Sequence, residues 1–162
     1  MKWFLSRLLV VETIVAGAFY AIAAALLFGD VIGRELFDAP IWGSQRSAVL
    51  LANAAALIGI GVAFALNRHI RPNILDHVVP ARFERQLKFV SHLFAAAVLF
   101  YGAYLATHFV AFNRELGFTS PPLDLEIWIP QLALVYGFAT AGLRSLIFAF
   151  DPDLVPDEKG PM

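Results

Sequence analysis

Within the long apolar stretches of this chain, the side chains able to do chemistry are few: Glu12, Asn53, His92, Thr107, His108 and Thr140. Two histidines facing each other across neighbouring helices would suit the axial ligation of haem. His92 and His108 instead share one apolar stretch, about 24 Å apart at a helical rise of 1.5 Å per residue. The other two histidines, His69 and His77, lie in a polar segment. That distribution argues against haem. No two histidines or carboxylates sit at i,i+3 or i,i+4 inside an apolar block, so a metal site is not expected either. Cysteine is absent, which excludes disulfides, thiolate ligands and cysteine nucleophiles. With no nucleophile beside a base and no phosphate-cradling glycine loop, neither an enzyme nor a bound cofactor is expected.

An ion path would place ionisable groups near mid-membrane, where they are costly and kept for function. Glu12 lies within two turns of the end of its block, where snorkelling or pairing with Arg7 accounts for it. Asn53 reads as an interhelical hydrogen bond. No block is broken in its middle by Gly and Pro, the usual pointer to a transporter's substrate site. The chain therefore does not look like the part that moves a solute.

The elements that must position these residues are membrane helices. Of 162 residues, 59% are hydrophobic and 15% charged, and the mean hydropathy is +0.70, far from the soluble norm of roughly half apolar and a quarter charged. Net charge is −1, which leaves no basic surplus for nucleic acid. Four apolar blocks, about 8–28, 48–66, 89–112 and 127–150, are each long enough to cross a bilayer as a helix. The expected fold is an all-α integral membrane protein: one four-helix transmembrane domain over 1–150, with a Pro-rich, acidic, disordered tail over 151–162. A cleaved signal peptide competes for the first block, but its apolar core would run only about 7–15 residues and would not carry Glu12. Retention as a first span is the better reading. That helix continues past the membrane through Asp30, Arg34 and Glu35, with Asp30 and Arg34 paired at i,i+4. Asp38-Ala39-Pro40 then turns the chain.

Arginine and lysine orient the blocks. Arg68, Arg71, Arg82, Arg85 and Lys88 crowd the segment between the second and third spans, which the positive-inside bias puts in the cytoplasm. Nine of the twelve basic residues then fall on that side, and both termini are cytoplasmic. Ile74, Leu75, Val78 and Val79 recur at helical spacing before Pro80, as in a short helix lying on the interface. Arg82, Arg85 and Lys88 form a basic stripe for anionic lipid headgroups. Trp3 and Trp128 are interfacial anchors, and Arg144, in the last two turns of the fourth block, is expected to snorkel to the headgroups. Small residues at four-residue intervals form ridges that allow close helix packing: Gly17, Ala21 and Ala25; Ala55, Gly59 and Ala63; Ala133, Gly137, Ala141 and Ser145.

Several motifs add a resemblance. The run Arg34-Glu35-Leu36-Phe37-Asp38-Ala39-Pro40-Ile41-Trp42, then Gly59, His69-Ile70-Arg71 and Pro80, is similar to the small membrane subunit, of DctQ or SiaQ type, of tripartite ATP-independent periplasmic (TRAP) transporters. Ser120-Pro121-Pro122, Ile129-Pro130 and Gly142-Leu143-Arg144 fit the same pattern, and the resemblance covers about residues 10 to 150. It implies an importer of the bacterial inner membrane, in which a periplasmic binding protein delivers a carboxylate-bearing solute to a large membrane subunit driven by a sodium gradient. The small subunit packs beside the large one and helps to dock the binding protein. Residues expected at those interfaces are Arg34, Trp42 and Gln45 at the outer face and His69 and Arg71 at the inner one. The chain departs from the family in having Gln45-Arg46 where members often carry an acidic pair, and Pro72-Asn73 where an apolar residue and Asp are favoured. A self-sufficient homo-oligomeric channel or transporter is the alternative.

Overall fold

Four long helices dominate the computed structural model, which describes residues 2–66, 84–120, 124–151 and 154. They are α1 (Lys2–Phe37), α2 (Ser44–Ala65), α3 (Glu84–Glu115) and α4 (Trp128–Phe150). All four are long and apolar enough to cross a membrane. Each apolar block read from the sequence lies in one of them except for Leu66 and Ile127 at the block ends, and α1 runs on past its block through Asp30 and Arg34 as expected. His69, Arg71, Arg82, the expected interfacial helix and most of the acidic tail lie outside the described residues.

α1 packs on α2, α2 on α4, and α4 on α3. The last helix in the chain is thus set between the second and the third. Glycine makes the α2–α4 approach possible, since a Cβ added to Gly137 would run into the backbone carbonyl of Leu57. On α4 the small residues Gly137, Ala141 and Ser145 are buried, as their ridge predicts. The ridge on α1 is different: Gly17, Ala21 and Ala25 are all exposed, and nothing lies within 4 Å of where a Gly17 Cβ would be. Four-residue spacing marks a surface that a helix can approach, and on α1 no helix of this chain takes it.

Local chemistry ends α1 where the sequence changes. Asp38 adopts a left-handed backbone at φ 50°, and the Ala39 N–H donates back to the Gly33 carbonyl at 3.0 Å, closing the end of the helix. Between α3 and α4 the chain makes a two-stranded antiparallel hairpin, β1 (Thr119–Ser120) on β2 (Leu125–Glu126), with Thr119 opposite Glu126. Side chains clip that end. Asn113 donates to Gln131 at 2.9 Å, the Trp128 indole N–H donates to Glu126 at 2.5 Å, and the Arg114 guanidinium lies 5.2 Å from the Trp128 ring centroid. Pro130 falls in the first turn of α4, where its missing N–H leaves no helical bond unmade.

Candidate functional site

Two constellations stand out, one at each end of the helices. The first is built on the tight connection between α1 and α2. Asp30 is buried at 2% exposure. One of its carboxylate oxygens accepts the Ile41 N–H at 2.9 Å, and the other accepts from Arg34 one turn further on. Anchoring the Ile41 backbone fixes the turn, and Gly43, left-handed at φ 77°, then starts α2. The result is a cavity of about 680 Å³ lined by Arg34, Trp42, Gln45 and Arg46. Trp42 stands out from it at 74% exposure. Arg46 reaches across to the hairpin, where its Nε donates to the buried Ser120 hydroxyl at 2.9 Å.

Arg34, Trp42 and Gln45, picked from the sequence, therefore share one rim. Arg46 joins them through a link to Ser120 that no sequence spacing announces. The cavity holds two guanidinium groups against one carboxylate, which Arg34 already engages. Such a rim favours an acidic partner surface.

The second constellation lies where α1 starts and α2 and α4 end. Glu12 and Arg144 form an ion pair at 2.6 Å, with their side chains 2% and 1% exposed. Arg144 also donates to the Gly61 carbonyl at 2.5 Å, and the Tyr136 hydroxyl donates to the second Glu12 oxygen at 2.7 Å. Gly61 makes room for this: a Cβ there would sit 2.6 Å from the Thr140 hydroxyl and 3.0 Å from Arg144 Nη1. The carbonyl end of α2 also carries the negative pole of its helix dipole, which favours a cation.

This corrects two expectations. Arg144 does not snorkel to the headgroups, and Glu12 does not pair with Arg7. Each finds in the other a partner that offsets part of the cost of burying its charge, while Arg144 Nε is buried with no partner among the described residues. Arg7 instead lies over the ring of the exposed Trp3, 5.4 Å from its centroid. Asn53, expected in an interhelical hydrogen bond, is exposed on α2 and makes none with any described residue of this chain. Thr107 and Thr140 donate to carbonyls of their own helices, those of Ala103 at 2.8 Å and Tyr136 at 2.9 Å. His92 is buried edge-on to Phe148, whereas exposed His108 sits edge-on to Tyr104 with ring centroids 4.5 Å apart. Among the described residues no three His, Asp or Glu side chains gather as metal ligands would. Of the remaining anchor residues, Arg85 is exposed, Lys88 half-buried and Trp128 half-buried.

Four membrane-length helices braced by a buried ion pair define a multi-pass membrane protein. Residues 23–152 match the family of tripartite ATP-independent periplasmic transporters, DctQ component, and the chain belongs to that family as a TRAP small subunit. It is similar to the ectoine TRAP transporter small permease protein TeaB of Halomonas elongata, 27% identical over 138 residues that cover 85% of this chain and 72% of that protein. It is also similar to the sialic acid TRAP transporter permease protein SiaT of Haemophilus influenzae, 22% identical over 154 residues. That match covers 90% of this chain but only 24% of SiaT.

Proposed function

We propose that this chain is the scaffold of a sodium-coupled TRAP importer for carboxylate-bearing solutes, in a bacterial inner membrane with both termini in the cytoplasm. It packs on the large membrane subunit, which carries the solute, and widens the surface on which the periplasmic binding protein docks. The observation that carries this reading is the closure of the Glu12–Arg144 pair. Two charges set inside the helices are committed to each other, to the Gly61 carbonyl and to Tyr136, so they act as struts between α1, α2 and α4. In this orientation the Arg34, Trp42, Gln45 and Arg46 rim faces the periplasm, where a binding protein with acidic patches would meet it. His69 and Arg71 would serve the inner face, and the basic stripe of Arg82, Arg85 and Lys88 would hold anionic lipid. The work is mechanical and not enzymatic.

The test is uptake by cells lacking this subunit. Transport is expected to stop while the binding protein still binds its solute, and the tagged subunit is expected to bring down a much larger permease. Normal uptake without it, or solute flux through the purified chain reconstituted alone, would overturn the proposal.

A further inference from the structure

Asn53 is the tenth of the 22 residues of α2, which at 1.5 Å per residue puts it about 14 Å along the helix, close to mid-membrane. Its carboxamide brings two donors and two acceptor lone pairs to a depth where lipid can satisfy none of them. The side chain is too short to reach either interface. Several other polar groups of the spans are engaged within the chain, although the Ser145 hydroxyl, buried inside the helices, has no partner among the described residues. Thr13, Thr107 and Thr140 donate to carbonyls of their own helices, Glu12 and Arg144 pair, and Asn113 bonds Gln131. Asn53 is exposed and bonds to no described residue.

The exposed positions of α2 form a stripe. Gln45, Val49, Asn53 and Ala56 recur at intervals of four, four and three residues. Ile58, on the opposite side, is buried against the gap between α1 and α4. The stripe begins at the outer cavity, whose lining includes Gln45 and Val49.

We infer that this outward face of α2, centred on Asn53, is the seat of the large membrane subunit, which presents a hydroxyl, carboxamide or unpaired backbone carbonyl to the Asn53 amide. The inference rests on the scaffold reading above. A second copy of this chain fits the face less well. Two copies related by a two-fold axis along the membrane normal would bring Arg46 towards its own equivalent, and its bonded partner is only the neutral Ser120 hydroxyl. A partner seated on the stripe also extends naturally over the cavity rim, so one contact serves both packing and docking.

The experiment uses the full complex with a tag on this chain. Asn53→Leu is expected to weaken retention of the large subunit about three- to twentyfold, the range measured for hydrogen bonds between membrane helices. It should leave the thermal midpoint of the isolated small subunit no lower. Ala56→Trp on the same face should abolish retention, while Val98→Trp on the exposed face of α3 should leave it intact. Because the chain has no cysteine, Ala56→Cys gives a single attachment point for a thiol crosslinker, and the product should have the mass of a heterodimer with the large subunit. Wild-type retention in both Asn53→Leu and Ala56→Trp, or a crosslinked product of two small subunits, would overturn the inference and leave the scaffold reading standing. Failure of the unaltered chain to retain any large subunit would sink that reading itself.

Discussion

Replacing Glu12 by Gln keeps the shape of the side chain and removes one charge from the buried pair. The opposing charges are 2.6 Å apart at their closest atoms and no more than 2% exposed. At a charge separation of about 4 Å and an effective dielectric near 20, their attraction is about 4 kcal/mol. Losing it strands Arg144 with the Gly61 carbonyl, and breaking such a pair from one side costs about 3–5 kcal/mol. Arg144→Met should cost a similar amount by stranding Glu12. The double variant Glu12→Leu with Arg144→Met removes both charges together, and an apolar pair of similar volume is often neutral or better. Its cost should therefore fall at least about 2 kcal/mol short of the sum of Glu12→Leu and Arg144→Met measured singly. The assay is unfolding of the purified chain in mixed micelles of increasing denaturing detergent, followed by helical circular dichroism. Single and double variants that add to within about 0.5 kcal/mol would show that the two side chains are not coupled, and the strut would be refuted.

Four further outcomes follow from the packing and the outer turn. Gly137→Ala should destabilise the same unfolding transition by about 1–3 kcal/mol, because its Cβ meets the Leu57 carbonyl. Gly17→Ala, whose Cβ would enter open space, should be neutral or stabilise by up to about 1 kcal/mol. Asp30→Ala leaves the Ile41 N–H and the Arg34 guanidinium without their carboxylate, and should cost about 1–3 kcal/mol with faster hydrogen exchange at Ile41. Arg34→Glu combined with Arg46→Glu should slow binding-protein association about tenfold or more at low ionic strength, with the difference shrinking as salt screens the rim. Stopped-flow association at several salt concentrations measures it.

What the sequence disclosed and what it withheld divide by the distance over which each interaction acts. The helices were legible because each is written in some twenty consecutive residues, and the α1–α2 turn because Asp30, Arg34, Asp38 and Pro40 fall within eleven. Arg34, Trp42 and Gln45 could be chosen for the same reason. The partner of Glu12 could not. Arg7 was near in the chain, while Arg144 lies 132 residues away, and nothing in the spacing says that α4 enters beside α1 and α2. The Arg46–Ser120 bond, spanning 74 residues, was hidden likewise. Small-residue spacing identified ridges on α1 and α4 alike, yet only the α4 ridge is used within the chain. Periodicity reports what a face permits, and the neighbour order decides whether it is taken.

That neighbour order bears on how the protein is made. The first helix enters the bilayer carrying an acidic group whose counterion arrives only with the last, and α3 waits for the same late helix as its main support. A chain halted before residue 144 would hold Glu12 uncompensated in an apolar setting and α3 with little to lean on. Entry of α4 and closure of the four helices thereby become one event.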